Sequence, residues 1–306
     1  MVLDSVLPVF LVIGLGSILA RFRLTNETFL KTSDRLIYYI FFPVLLFWKI
    51  GSPAESSTID ARGYLAILVT ILVAWVLSLL CKRAFKISDF EAGAFSQCCY
   101  RFNTYIGMAV VLNASGEPAV RQFGVIISFA IPFINLLSVS TLIWFSGRDI
   151  SGSEKLRVTG KAIVSNPFIL ACFLGLLYAR LGQPFPGFLE NSFRLVSAVS
   201  LPMALISIGG AIHPAALRGR FKAALVASVF KVGLYPVMGY LVLMLFNVVD
   251  SFLSTAMLFF ALPTSTASYV LSSQLDSDAN LASSVIVLST LLSTGSLSLA
   301  VWLFVP

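Results

Sequence analysis

Two cations stand inside long apolar stretches of this chain, Arg101 and Lys231. An ionised side chain in hydrocarbon is costly, and it is normally paired or functional. The acidic residues fall at the ends of the apolar stretches or between them, so no neighbouring carboxylate in the same stretch neutralises either cation. The chemistry such groups offer is attraction of an anion, which is the favoured reading; Arg101, about two turns from the end of its stretch, can instead snorkel to the interface. Polar groups gather nearby in Arg101-Phe-Asn-Thr-Tyr-Ile-Gly107, which contains Asn103 and Thr104. A second polar interruption, Leu262-Pro-Thr-Ser-Thr-Ala-Ser268, contains Pro263, Thr264 and Ser265, and Asn135 stands in a further apolar stretch. Their amides and hydroxyls can orient a solute or hold helices together. Pro263 removes an intrahelical hydrogen bond, and its polar neighbours compete for backbone groups. Irregular backbone at membrane depth is tolerated only where protein buries it or a cavity lines it.

These residues must be carried by membrane helices. Of the 306 residues 58% are apolar and only 11% charged, with a mean hydropathy of +0.93; a soluble domain carries about 25% charge. The apolar blocks have the length that crosses about 30 Å of hydrocarbon as helix, and they do not alternate as barrel strands would. They predict ten transmembrane helices, near 3–20, 36–52, 62–81, 93–113, 121–145, 161–180, 192–212, 222–247, 252–272 and 281–305. The first lacks a basic leader and a cleavage site and reads as a retained helix. No joint is long enough to fold as a catalytic domain. Cys81, Cys98, Cys99 and Cys172 lie in or beside apolar blocks, so neither a disulfide framework nor a zinc site is implied.

The net charge of +7 is not a nucleic-acid footprint, because the basic residues sit at segment ends. Fourteen border the odd-numbered joints and five the even ones, which places the odd joints in the cytoplasm and both termini outside. His213, followed by Pro214, reads as a joint or capping residue, and Asn166-Pro167 as a helix start. Gly14-Leu-Gly16 lacks the strand–turn–helix setting of a dinucleotide site.

The two halves match at a spacing of 159. Pro8, Gly16, Ala20, Arg21, Arg35 and Pro43 fall on Pro167, Gly175, Ala179, Arg180, Arg194 and Pro202. The same spacing carries Thr104 onto Pro263. A unit of five helices inserts upside down when repeated. The expected fold is therefore an all-α polytopic membrane protein of two inverted repeats, 1–146 and 161–306, joined by a short cytoplasmic connector, 147–160. Matched interrupted helices, the fourth and the ninth, mark a midplane binding site in such architectures.

Four stretches carry a resemblance to a family: FNTYIGMAVVL at 102–112, SNPFILACFLGLLYARLG at 165–182, LPMALISIGGAI at 201–212, and LPTSTASYVLSSQLDSDANLASSVIVLSTLLS at 262–293. The chain resembles a bacterial member of the auxin efflux carrier family, with its PIN-like and malonate-transporter-like branches. The resemblance covers essentially the whole chain. It implies a multi-pass protein of the bacterial inner membrane, built like the bile-acid/sodium symporters, whose broken fourth and ninth helices cross near Asn103–Thr104 and Pro263–Thr264. It implies a secondary transporter of small organic anions, auxin-like or dicarboxylate-like, working by alternating access in the direction of efflux. No enzyme activity or cofactor is implied. Coupling to sodium, protons or the membrane potential stays open, and so does a homodimeric assembly. The sequence departs from the family where its carriers often place a proline in the fourth helix, having Asn103-Thr-Tyr there. The long central loop of the plant exporters is also absent. A carrier of neutral or amphipathic solutes, with structural cations, is the alternative, ahead of a non-transporting membrane sensor.

Overall fold

A computed structural model of the chain describes residues 2–52, 61–145, 157, 160–161, 164–212 and 219–305. His213 and most of the connector 147–160 lie outside the described residues.

The first helix, α1, spans Val2–Arg21. The second pass comprises α2 (Glu27–Leu36) and α3 (Phe42–Gly51), joined by a π-turn over Ile37–Phe41. It begins well before the expected residue 36. The Asn26 side chain accepts the Phe29 N–H at 2.8 Å, and Glu27 pairs with Lys31 one turn on at 2.6 Å; a cap and an i,i+4 pair sustain a polar first turn. Next come α4 (Ala61–Ala84), α5 (Asp89–Tyr100) and α6 (Thr104–Phe145). Helix α6 makes two passes, because Gly116 at φ 72°, ψ −167° turns the chain between them, a conformation that glycine adopts without steric cost. The second half contains α7 (Pro167–Ala179), α8 (Gly187–Gly210), α9 (Phe221–Val229) and, after a π-turn over Phe230–Leu234, α10 (Tyr235–Leu245). It ends with α11 (Asp250–Ala261), α12 (Ala267–Gln274) and α13 (Ala279–Phe304).

Among the described residues there is no strand, and the helices make ten passes. Among the described residues six helical stretches are long and apolar enough to cross a membrane, and one of them, Asp89–Phe145, carries two passes. The second and ninth passes are assembled from shorter pieces, and α7 is a single helix of 13 residues. Each π-turn ends two residues before a proline, Pro43 or Pro236, whose missing N–H would leave a gap in a regular ladder. Pro202, matched to Pro43 in sequence, instead lies within continuous α8.

Packing groups the helices across the two halves. Helices α1, α2, α3, α7 and α8 form one bundle, in which α1 lies along α8 and α3 along α7. Close approach fixes both pairs. A Cβ added to Gly16 would lie 2.2 Å from the Ile206 carbonyl oxygen, and one added to Gly175 would lie 3.1 Å from that of Phe47. Gly16 and Gly175 are 159 apart, and so are Phe47 and Ile206, so the repeat returns as a swapped pair of equivalent contacts. Helices α4, α5, α6 and α9 to α13 form the other bundle, with α6 and α13 reaching back to the first.

Within this second bundle the repeat spacing becomes 161. Lys86 and Asn247 both have φ 54°. The Ile87 N–H bonds the Lys82 carbonyl and the Val248 N–H that of Leu243, each at 3.0 Å. Helices α5 and α11, twelve residues each, start and stop in the same register. Two extra residues in the second half therefore set Asn103 opposite Thr264, and not Thr104 opposite Pro263 as the 159 spacing has it.

Candidate substrate site at the helix crossing

Helix α5 begins at a capping box, in which Ser88 Oγ accepts the Glu91 N–H and the Glu91 carboxylate accepts the Ser88 N–H. It ends at Tyr100, and α11 ends at Ala261; the next residues, Arg101 and Leu262, leave in extended conformation at φ −65°, ψ 150° and φ −65°, ψ 149°. The chain resumes helix at Thr104 and at Ala267. Ending two helices inside a membrane frees backbone groups that must find partners.

The breaks supply those partners to each other. The Asn103 N–H donates to the Pro263 carbonyl at 2.9 Å. Thr264 Oγ1 donates to the Cys98 carbonyl in the last turn of α5 at 2.7 Å, and the Thr264 N–H donates to Ser289 Oγ at 3.1 Å. Asn103 Oδ1 caps α6 by accepting the Tyr105 and Ile106 N–H groups, each at 3.1 Å. Ser265 Oγ accepts the Ala267 N–H at 3.2 Å where α12 starts. Ser296 Oγ donates to the Ala261 carbonyl at 2.8 Å.

The two cations take different positions. Arg101, 7% exposed, donates from Nε to Ser138 Oγ at 3.2 Å and from one terminal nitrogen to Asn135 Oδ1 at 2.6 Å. Lys231 is fully buried in its π-turn. Its Nζ donates to the Phe260 carbonyl at 3.1 Å and lies 4.3 Å from the centre of the Tyr235 ring. A cation at a helix C-terminus meets the negative end of its dipole, so Lys231 completes the last turn of α11. The structure thus brings Arg101 to Asn135 and Asn103 to Pro263, and sets Lys231 behind α11. Thr104 and Thr264 are buried, and Ser265 is half-buried.

Some polar atoms at the crossing are left over. Asn103 Nδ2, Gln97 Oε1 and Ser268 Oγ are buried and have no hydrogen-bond partner among the described residues. Gln97, one turn before Arg101, is itself fixed by donating from Nε2 to Ser272 Oγ at 2.9 Å and to the Ser268 carbonyl at 3.3 Å. Buried polar atoms without partners are rare, and each calls for an explanation; donors and acceptors held open around two broken helices suit a polar solute. Gln97, Ser138 and Ser289 lie outside the polar interruptions that the sequence marks, whereas Ser268 closes the second of them. The available signal was Gln97, an amide inside an apolar block at i,i+4 spacing from Arg101. Opposite the crossing, Tyr105 packs on Phe42 of α3 and Phe168 of α7, with ring centres 4.9 and 6.1 Å apart. The start of α6 thereby rests on an aromatic wall of the other bundle.

Ten helical passes with two broken helices crossing at a polar centre define a membrane transporter. The chain belongs to the membrane transport protein family, matching it over residues 1–303; this is the auxin efflux carrier and malonate-transporter-like family of the sequence resemblance. It is 24% identical to an uncharacterized transporter of Methanocaldococcus jannaschii over 98% of this chain and 97% of the other. It is 27% identical to a Rhizobium meliloti protein named "Putative malonate transporter" over 96% and 92% of the two chains. An uncharacterized transporter of Methanothermobacter thermautotrophicus is 24% identical over 97% and 96%. Family and relatives are transporters and not enzymes.

Proposed function

We propose that this chain is a secondary transporter of small organic anions, dicarboxylate-like or auxin-like, that works by alternating access and exports its substrate. The observation that carries the reading is Asn103. Its Oδ1 is committed to capping α6 while its Nδ2 stays buried and unpartnered at the crossing, two residues after Arg101. A carboxylate is acceptor-only and matches such a donor. The malonate named for the Rhizobium meliloti relative is a carboxylate of this kind. Alternating access is one bundle moving against the other across the Tyr105 contact. The basic-residue distribution supports an orientation with the odd joints and connector in the cytoplasm, and the proposed setting is the bacterial inner membrane. An interior-negative potential then favours export by about 2.3 kcal/mol per charge at 100 mV, so export needs no further coupling ion.

The test is flux of labelled malonate and other carboxylates from proteoliposomes under an imposed potential, with and without sodium and proton gradients. Potential-driven carboxylate efflux supports the proposal. Transport of neutral solutes alone sinks it.

One observation favours a carrier of neutral or amphipathic solutes. Arg101 already has Asn135 and Ser138, and Lys231 already has a carbonyl and a ring. If both cations are structural, Arg101→Gln leaves substrate KM unchanged; if an anion reaches Arg101, KM rises.

A further inference from the structure

Away from the crossing, two cavities adjoin where the loop between α4 and α5 meets the start of α9. One, about 350 Å³, is lined by Lys86, Arg220, Lys222 and Glu91 together with Phe85 and Val226. The other, about 340 Å³, is apolar and runs along Cys81, Leu225, Val229 and Leu234, sharing Phe85 and Val226 with the first. The charges at the basic end are not balanced. Arg220 is held by Asp278 at 2.6 Å and lies 3.9 Å from Glu91. Lys86 and Lys222 are exposed and have no carboxylate partner among the described residues. The N-terminus of α9 opens at the same place with no side-chain cap, adding the positive end of a helix dipole.

We infer that the two cavities together form a site for one anionic glycerophospholipid, its headgroup phosphate on Lys86 and Lys222 and an acyl chain along Leu225, Val229 and Leu234. Each half explains what the other cannot. The groove is apolar, with Leu225, Val229 and Leu234 exposed, and takes an acyl chain, but it does not discriminate between headgroups. The basic cavity attracts phosphate, but a free phosphate leaves the groove unfilled. A zwitterionic headgroup brings its own cation to a site already in positive excess, so the anionic lipid is favoured. Basic pockets between membrane helices on the positive side of the protein recognise such headgroups. The basic-residue distribution puts the joint between α4 and α5 and the joint before α9 on that side. The site ties the end of α4 to the start of α9, and it stands independently of what the protein transports.

Native mass spectrometry of the detergent-purified full chain tests the site, with phosphatidylglycerol, phosphatidylcholine and inorganic phosphate as probes. Phosphatidylglycerol is expected to be retained over phosphatidylcholine. The preference should fall about fivefold for Lys86→Gln or Lys222→Gln and further in the double variant, as one surface cation contributes that order of attraction to an anionic lipid. Both lysines are exposed, so folding is spared. Val226→Trp, which fills the shared wall, should reduce retention of both lipids. Equal retention of the two lipids, or unchanged phosphatidylglycerol retention in the double variant, overturns the proposal. Full displacement by inorganic phosphate, with Val226→Trp silent, also overturns it by leaving an anion site with no lipid chain.

Discussion

The chain leaves helix after Tyr100 and after Ala261 with the same backbone, ψ 150° at Arg101 and 149° at Leu262, but it fills the two breaks with different residues. The first has a cation and no proline; the second has Pro263 and no cation of its own. The first ends on an amide that caps the next helix from its side chain, whereas the second resumes through Ser265 and Thr266 without a side-chain cap from Thr266. The missing cation is brought in from elsewhere, since Lys231 reaches over from its π-turn to the Phe260 carbonyl. Proline is therefore not what breaks these helices. What allows the breaks is mutual satisfaction, in which the Asn103 N–H meets the Pro263 carbonyl and Thr264 Oγ1 meets the Cys98 carbonyl. The first break keeps the Asn103 amide donor open at its centre. In the second, Thr264 and Ser265 are bonded, and among the described residues only Ser268 Oγ, in the helix that follows, is left open.

If that division of labour is correct, the largest effect should come from Asn103. Asn103→Asp retains an oxygen that can cap α6 and replaces the open donor by an acceptor. Carboxylate transport in proteoliposomes should fall about 10- to 100-fold, the range of a lost hydrogen bond to a charged group, with little change in unfolding temperature. An equal loss of transport and stability would make Asn103 a cap alone. Arg101→Gln comes next, raising KM for carboxylates about tenfold if the guanidinium contributes one charge-assisted bond; an unchanged KM would align Arg101 with Lys231. Lys231→Met should act on stability, costing about 1–3 kcal/mol because the buried Phe260 carbonyl loses its donor. Thermal unfolding would show this, and substrate KM should not move. The smallest effect belongs to Thr264→Val, about 1 kcal/mol, the low end of the cost of leaving the buried Cys98 carbonyl without a donor, because the donor lost is neutral. A thermal shift as large as that of Lys231→Met would show the second break to be held mainly by Thr264.

Much of this could be read from residue types. Asn103, Thr104, Pro263 and Thr264 stand out because polar groups and proline are rare in apolar blocks, and all four lie at the crossing. The spacing of 159 was legible in α1 and α7 because Gly16 and Gly175 make equivalent close contacts, which only a missing side chain permits. The change to 161 was not legible. The residues it pairs, Arg101 with Leu262 and Asn103 with Thr264, share no type, and only matched dihedrals and hydrogen bonds align them. The second helix starts early for a local reason, since a cap and one ion pair keep a polar turn helical where hydropathy shows no block.

The number of passes, the repeated halves and the polar interruptions are set by residue order alone, because hydrocarbon thickness and backbone pairing act on every residue in a block alike. How the halves interleave, and which buried cation completes a helix end, emerge from the packed fold. It alone showed which amide remains open. Those outcomes depend on which group lies within about 3 Å of which other, and chain spacing does not specify that between helices more than a hundred residues apart.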